Sequence, residues 1–243
     1  MKIHIVNPNT TTSMTQKIAA AARAVAGPGV EIVADQPEMG PVSIEGYYDE
    51  AFAIPGMLAR IRAAEADGVA GHVIACFDDT GLDAARSICT TPVIGIGEAG
   101  YHVASLIAGR FSVVTTLARS IPVLEHNLHR YGLAARCGRV RAADVEVLAL
   151  EDPASGARAK ISDQIEAAKR EDRAEAIVLG CAGMADLAAE LSRTHGLPVV
   201  DGVASAVALV EALARLGAQT SKLGGYAAPL KKTYTGAFAR FAP

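Results

Sequence analysis

Short apolar runs rich in Val and Ile alternate along the whole chain with longer stretches rich in Ala, Leu, Arg and Glu. This alternation is typical of parallel strands that helices cover on both faces. Eight runs have this character, at about 2–6, 30–34, 72–76, 93–96, 111–115, 145–149, 176–180 and 198–201. The sequence therefore predicts an α/β fold, for which a barrel of eight strand–helix units is one possible architecture.

The second half of the chain repeats the first at an offset of 105 to 108 residues. Three segments match in the same order: 5–7 with 113–115, 72–76 with 177–181, and 92–94 with 198–200. A repeat of this kind favours a duplicated four-stranded unit over a barrel. We therefore predict two pseudo-symmetric lobes, each a four-stranded parallel sheet flanked by helices, with the active site in the cleft between them. Residues 1–97 and 204–243 are expected to form the first lobe, and residues 98–203 the second.

Composition narrows the classes of partner. The chain has 243 residues, of which 51% are hydrophobic and 20% charged, with a formal net charge of −3 and no Lys/Arg block. Phosphate backbones and anionic lipids attract basic surfaces, so neither nucleic acid nor a membrane is expected as a partner. The short apolar run at the N-terminus is typical of a strand and not of a signal peptide, which predicts a cytoplasmic protein that binds a small-molecule substrate.

Two of the four cysteines occupy equivalent places in the repeat. Cys76 follows the apolar run 73–75, Cys181 follows the run 176–180, and a turn that opens a helix comes after each. Open α/β sheets bind ligands at the carboxyl ends of their strands, and a nearby helix N-terminus favours the thiolate. Cys89 and Cys137 lack this placement and are expected to be packing residues. No CxxC pair is present, so all four are expected to be free thiols.

Two thiols that flank one cleft are suited to inverting a stereocentre. A thiolate on one face removes a proton from a carbon acid, and a thiol on the other face delivers one, without a cofactor. Backbone N–H groups around 77–80 and 182–183 are expected to stabilise the charge that develops on the neighbouring carbonyl oxygen.

At these residues the chain resembles the aspartate/glutamate racemase superfamily, in particular its hydantoin racemase and allantoin racemase branch. The resemblance runs through Asn7-Pro8-Asn9-Thr10, Gly40-Pro41-Val42-Ser43-Ile44-Glu45-Gly46, Ala75-Cys76-Phe77, Val113-Val114-Thr115-Thr116 and Gly180-Cys181-Ala182-Gly183-Met184. It implies that Cys76 and Cys181 act as acid and base, and that the reaction inverts C5 of a hydantoin or of allantoin without metal or pyridoxal phosphate. It also implies self-association into a homo-oligomer.

One departure from the branch concerns the residues after Cys76. The branch commonly has Gly-Asp-Pro-Gly after its Cys-Phe pair, whereas this chain has Asp78-Asp79-Thr80-Gly81. A carboxylate beside a thiol raises the pKa of that thiol. Unless Asp78 turns into solvent or caps the next helix, Cys76 is expected to be the resting thiol and Cys181 the resting thiolate.

Substrate-binding residues are expected where polar groups follow strands and where a turn-rich loop carries an apolar side chain. The candidates are Asn9, Pro41, Ile44, Phe77, Asp78, Thr115, Thr116, Ala182 and Gly183.

Other signals are weaker. The run 95–100 spells GxGxxG but does not open a βαβ unit, and no acidic residue ends the following strand, so a dinucleotide is not expected. His126 and His129 lack a third ligand, so no metal is expected. The alternatives left open are an aspartate/glutamate-type amino-acid racemase, a decarboxylase relative of the same fold, and a non-catalytic binding protein of two lobes.

Overall fold

The computed structural model describes residues 1–243 and contains two separate parallel sheets. The first has the order β2-β1-β3-β4 and the second the order β6-β5-β7-β8. Because the two orders are the same, they confirm the predicted pair of four-stranded units and exclude the barrel. The strands are β1 (Lys2–Val6), β2 (Glu31–Asp35), β3 (His72–Ile74), β4 (Val93–Gly95), β5 (Phe111–Thr115), β6 (Cys137–Ala142), β7 (Ala176–Gly180) and β8 (Val199–Asp201).

Helices follow most strands, as parallel connections require. None of them is both long and apolar enough to cross a bilayer. After the last helix, residues 216–243 form a largely exposed tail with two short 3-10 turns. The helices are α1 (Thr12–Val25), α2 (Tyr47–Ala66), α3 (Leu82–Ile88), α4 (Ile96–Ile107), α5 (Ile121–Arg130), α6 (Ala157–Ala167), α7 (Ala188–His195) and α8 (Gly202–Arg215).

A layer made of α1, α4, α5 and α8 lies between the sheets and is the centre of the main hydrophobic core. That core joins 29 buried residues from both halves, including Ile5 of β1, Val178 of β7 and Val207 of α8. Helix α4 follows the first sheet but contacts β7 of the second, while α8 follows the second sheet and contacts β1, β3 and β4 of the first. The halves therefore exchange helices and share one core.

The predicted strand at 145–149 is wrong. Strand β6 is Cys137–Ala142, and the apolar residues that follow it lead into a 3-10 helix at Val147–Glu151. At the edge of its sheet, β6 contains buried Val140 beside Arg139 and Arg141, and the Arg141 guanidinium binds the Asp172 carboxylate at 2.7 Å. A search for fully apolar runs misses such a strand because only one of its faces is apolar.

Candidate active site

One pocket lies in the cleft where β1, β3, β5 and β7 end. It is lined by polar groups that follow β1 and β5, by both cysteine loops, and by apolar side chains. Nine of the eleven predicted site residues line it: Asn9, Ile44, Cys76, Phe77, Asp78, Thr115, Thr116, Ala182 and Cys181.

The two thiols reach this pocket from equivalent positions. Cys76 lies two residues beyond the end of β3, and Cys181 lies directly after β7. Ala75 donates its N–H to the Val6 carbonyl at 2.9 Å, which continues the pairing with β1 up to the cysteine. Both cysteines are partly exposed, so a small molecule in the pocket can contact both.

Each thiol has a backbone donor two residues further along the chain. The backbone amide of Asp78 is directed at the sulfur of Cys76 and that of Gly183 at the sulfur of Cys181, and each lowers the pKa of its thiol. An N–H beside a thiolate favours its charged form.

The surroundings of the two sulfurs are unequal. Burial raises the pKa of Cys76 well above its usual value, the charge of Asp78 raises it further, and the Thr80 hydroxyl lowers it. That hydroxyl is fully buried and makes no hydrogen bond within the protein. Burial raises the pKa of Cys181 to about 11, with a lowering contribution from Gly183 and a raising one from Asp78. Cys181 is therefore the more acidic thiol, in the order that the sequence predicts.

Asp78 stands in the pocket wall without a partner for its side chain. The structure contains no hydrogen bond or ion pair to its carboxylate, although its backbone carbonyl accepts from Asn127 Nδ2 at 2.9 Å. Burial and the charge of Glu50 raise the pKa of Asp78 to about 7. It does not cap α3, which begins after Gly81 without a side-chain cap. Asp78 therefore neither turns into solvent nor caps the next helix, and its charge still raises the pKa of Cys76.

Asp79, the next residue, explains the GxGxxG run. Its carboxylate accepts from the N–H groups of Gly97 at 2.9 Å and Glu98 at 2.8 Å, and from the Tyr131 hydroxyl at 2.7 Å. A Cβ at Gly95 would lie 2.0 Å from Asp79 Oδ1, so only glycine leaves room for the carboxylate. The N-terminus of α4 thus binds an anion from its own chain, and the motif is not a dinucleotide site.

Asp79 also ties the Cys76 loop to both halves, since Tyr131 belongs to the segment after α5. The residue adopts a left-handed backbone conformation with φ of +54°. Such conformations carry strain and persist where surrounding contacts hold them. The three hydrogen bonds to its carboxylate supply such contacts.

Polar groups at the ends of β1 and β5 divide into two sets. Asn7 donates to Asn9 Oδ1 at 2.8 Å and to Thr15 Oγ1 at 3.0 Å, while Thr115 donates to the Gly180 carbonyl at 3.0 Å. These groups are used within the protein. The side-chain nitrogen of Asn9, Nδ2, donates only to the weak acceptor Met14 Sδ, at 3.2 Å, which leaves this nitrogen free to donate to a ligand.

Two predicted site residues do not line the pocket. The Pro41 carbonyl accepts from the N–H of Thr10 at 3.0 Å, so Pro41 fixes the loop that carries Ile44. Gly183 lies behind Cys181, where its amide serves the sulfur.

Sequence reasoning missed several residues of the pocket wall. Val147 escaped notice because its segment was assigned to a strand. Ser120 lies in a short turn after β5. The polar residues at the equivalent place after β1 were the signal that could have pointed to it. The residues outside the predicted list are Asn7, Pro8, Met14, Ala75, Ser120, Val147 and Gly180.

The loop with Ile44 joins the two halves over the cleft. The Glu45 carboxylate accepts from the N–H of Val147 at 2.9 Å, and the Ser13 hydroxyl donates to Glu151 at 2.8 Å. These contacts tie the Ile44 loop and the start of α1 to residues 147–151 of the second half.

One group of potential metal ligands occurs elsewhere: Glu65, His72 and Cys89 in the first half. Glu65 already binds His72 Nε2 at 2.8 Å and the hydroxyls of Thr90 at 2.9 Å and Thr91 at 2.6 Å. Its oxygens are satisfied without an ion.

Two sheets of the same strand order, each with a thiol at the equivalent strand end and both thiols in one pocket, define a duplicated α/β protein. The chain belongs to the Asp/Glu/Hydantoin racemase family, whose model matches residues 3–210. It is therefore an isomerase of the racemase type.

Individual relatives agree with this assignment. A hydantoin racemase from Rhizobium meliloti is 50% identical over 236 residues, covering 97% of this chain and 98% of that protein. The structure of an allantoin racemase from Klebsiella pneumoniae has 51% identity and a TM-score of 0.97, covering 100% of this chain and 99% of the other. Arylmalonate decarboxylase shares the fold alone, with 18% identity, a TM-score of 0.59 and coverage of 93% and 96%.

Proposed function

We propose that this protein is a cofactor-independent racemase that inverts C5 of 5-substituted hydantoins, allantoin included, with Cys76 and Cys181 as its acid and base. The observation that carries the proposal is that both thiols, from equivalent strand ends, line the same pocket. Relatives named as hydantoin and allantoin racemases, each about half identical over nearly the whole chain, support the substrate class.

In the proposed reaction the C5–H bond breaks on one face and a new one forms on the other. The Cys181 thiolate takes the C5 proton, the electron pair moves into a planar enolate, and the Cys76 thiol delivers its proton to the opposite face. Turnover leaves Cys181 as thiol and Cys76 as thiolate, and the reverse reaction restores the first state. The pKa of Cys181 is raised less than that of Cys76, so we assign the first proton abstraction to Cys181.

Side chains at the strand ends are proposed to stabilise the enolate oxygen, since the amides of Asp78 and Gly183 are directed at sulfur. Asn9 has a free N–H, and the hydroxyls of Thr116 and Ser120 also line the pocket. Donors fixed where charge develops lower the barrier because they need no reorganisation.

An amino-acid substrate fits this pocket less well. Its carboxylate would need a cation, whereas Asp78 is the only charged side chain in the pocket wall. The decarboxylase alternative matches a site with one cysteine, and this chain has two.

The deciding experiment follows single enantiomers of benzylhydantoin, isopropylhydantoin, allantoin, aspartate and glutamate in deuterium oxide. We expect loss of optical rotation together with loss of the C5 proton signal for the hydantoin-type compounds only. Racemisation of aspartate or glutamate alone would overturn the substrate class, and binding without any stereochemical change would overturn the activity.

Three further features stay predictions. They are the division into 1–97 with 204–243 and 98–203, a cytoplasmic location, and a homo-oligomer. Exposed Leu223, Leu230 and Phe238 in the tail support self-association. Sedimentation velocity measures the oligomeric state directly, and a monomer at micromolar concentration would contradict it.

A further inference from the structure

We propose that Asp78 selects the substituent at C5, so that this racemase prefers hydantoins whose substituent carries amide-type N–H donors, such as the ureido group of allantoin. The inference rests on the proposed function, because it assigns one residue of the same site to one part of the substrate.

The first observation is that Asp78 is unsatisfied. Its carboxylate lines the pocket, and no hydrogen bond or ion pair in the protein reaches it. The neighbouring Glu50 side chain, in the first turn of α2, also lacks a hydrogen-bond partner and adds negative charge. A partly buried carboxyl group that lines a pocket and has no partner within the protein is open to a ligand, so a ligand that supplies donors is favoured there.

The second observation concerns position. In a two-base inversion the sulfurs face C5 from opposite sides, and the substituent of the planar enolate lies in the plane between them. Asp78 follows Cys76 by two residues, and its charge also reaches Cys181 across the cleft. Asp78 lines the same pocket as both cysteines, so its carboxyl group is available to a substituent held between the two sulfurs.

The third step is chemical complementarity. A carboxylate can accept two N–H groups from one ureido group, and a protonated carboxyl can accept one N–H and donate to the ureido carbonyl. The pairing therefore holds in either protonation state. A hydrocarbon substituent leaves the carboxyl unpaired, which is how sites built for hydrogen bonding reject analogues that lack the polar group.

The second half shows that the fold does not require a side chain at the position of Asp78. Gly183 is the equivalent of Asp78, and a Cβ there would lie 2.9 Å from Leu150 Cδ1. The second cysteine loop has no side chain at this point, and one could be added only if Leu150 moved, whereas the first loop has Asp78 in the pocket wall.

The test compares allantoin with 5-isobutylhydantoin, whose substituent has the same shape as a ureido group without its polar atoms. The measured quantity is the ratio of kcat/KM for allantoin to that for 5-isobutylhydantoin, in the wild type and in Asp78→Asn, Asp78→Ala and Asp78→Gly. The ratio cancels effects on the thiols that both substrates share. Circular dichroism establishes that each variant is folded, and Glu50→Gln is the matched control because it removes a nearby charge outside the pocket wall.

We expect the ratio to fall about tenfold or more in Asp78→Ala and Asp78→Gly, and less in Asp78→Asn, since Asn still accepts one N–H and donates to a carbonyl. Glu50→Gln is expected to keep the ratio within about twofold. An equal loss on both substrates, or the same ratio in all variants, overturns the inference while racemisation itself persists. Wild-type protein that inverts neither substrate would instead overturn the proposed function.

Discussion

The two cysteine loops begin alike and then diverge. Each follows a buried parallel strand, and each directs an amide two residues later at its sulfur. In residues 78–80 the first loop has Asp, Asp and Thr, whereas the second has Gly183, Met184 and Ala185. The first loop is held by hydrogen bonds to Asp79, and the second is held by packing, with Met184 fully buried. A symmetric scaffold thus surrounds its two thiols differently: Asp78 and Thr80 act on the pKa of Cys76, with opposite signs, where the second loop has Gly183 and Ala185.

Removing either sulfur is expected to have the largest effect on activity. We expect Cys76→Ser and Cys181→Ser each to lower racemisation about 10²- to 10⁴-fold, because a serine hydroxyl cannot replace a thiolate as base. Each variant is expected to retain at most exchange of the proton of one enantiomer, and of opposite enantiomers in the two variants. Proton NMR in deuterium oxide measures this, and full racemisation by Cys181→Ser would contradict the mechanism.

Removing the carboxylate that holds the first loop is expected to act mainly on stability. Asp79→Ala leaves two N–H groups and the Tyr131 hydroxyl without their acceptor. We expect the free energy of unfolding in urea to fall by about 3 kcal/mol. Tyr131→Phe removes one of these bonds and is expected to cost about 1 kcal/mol. A loss below that of Tyr131→Phe would show that Asp79 does not fix the loop.

The same carboxylate predicts a pH dependence of stability. Burial raises the pKa of Asp79 from its usual 3.8 to about 7, so between these values the folded protein binds more protons here than the unfolded chain. The contribution of Asp79 to stability is therefore fully present below about pH 4 and decreases as pH rises towards 7. Urea unfolding from pH 4 to 8, for wild type and Asp79→Asn, measures the difference, and a difference that grows with pH would contradict the sign.

Removing the charge of Asp78 tests the asymmetry between the thiols. Asp78→Asn is expected to lower the pKa of Cys76 by about one unit and that of Cys181 by less, since this charge is a larger contribution at Cys76. Iodoacetamide alkylation against pH, followed by peptide mass spectrometry, reports each thiol. Cys89 and Cys137 serve as internal references, because burial raises the pKa of each to about 12. An equal pKa change at both sulfurs would show that Asp78 does not cause the difference between the two thiols.

The smallest expected effect comes from the buried Thr80 hydroxyl. Thr80→Ala removes a hydroxyl that lowers the pKa of Cys76, so the variant is expected to raise the pKa of that thiol by about half a unit, with Cys181 unchanged. Thr80→Ser should restore the wild-type value. The same alkylation experiment measures it, and a change at Cys181 would indicate a general disturbance of the cleft.

Much of this arrangement is predictable from sequence because the repeat is. Seven of the eight strands follow from apolar runs in the sequence, and the paired cysteines follow from their positions after two of those runs. The edge strand β6 was missed because its Arg residues interrupt the apolar pattern. Val147 was assigned to a strand because it lies in an apolar run. A local pattern does not show that such a run forms a 3-10 helix beside a cleft.

The role of Asp79 was out of reach for a different reason. Its partners Gly97 and Tyr131 lie 18 and 52 residues away along the chain, and no spacing rule joins them. The GxGxxG run was correctly rejected as a dinucleotide motif, but only the fold shows that its glycines make room for an internal carboxylate.

The exchange of α4 and α8 between the sheets bears on how such a protein could have arisen. In the present protein, α4 of the first half covers the second sheet and α8 of the second half covers the first sheet. A half-length ancestor had only one sheet and one such helix, so the corresponding face of its sheet would have been exposed in a monomer. It would have been stable only as a pair of identical subunits, each lending that helix to its neighbour. Fusing the two genes then freed the copies to diverge, and residues 78–80 are where the copies differ beside the reacting carbon.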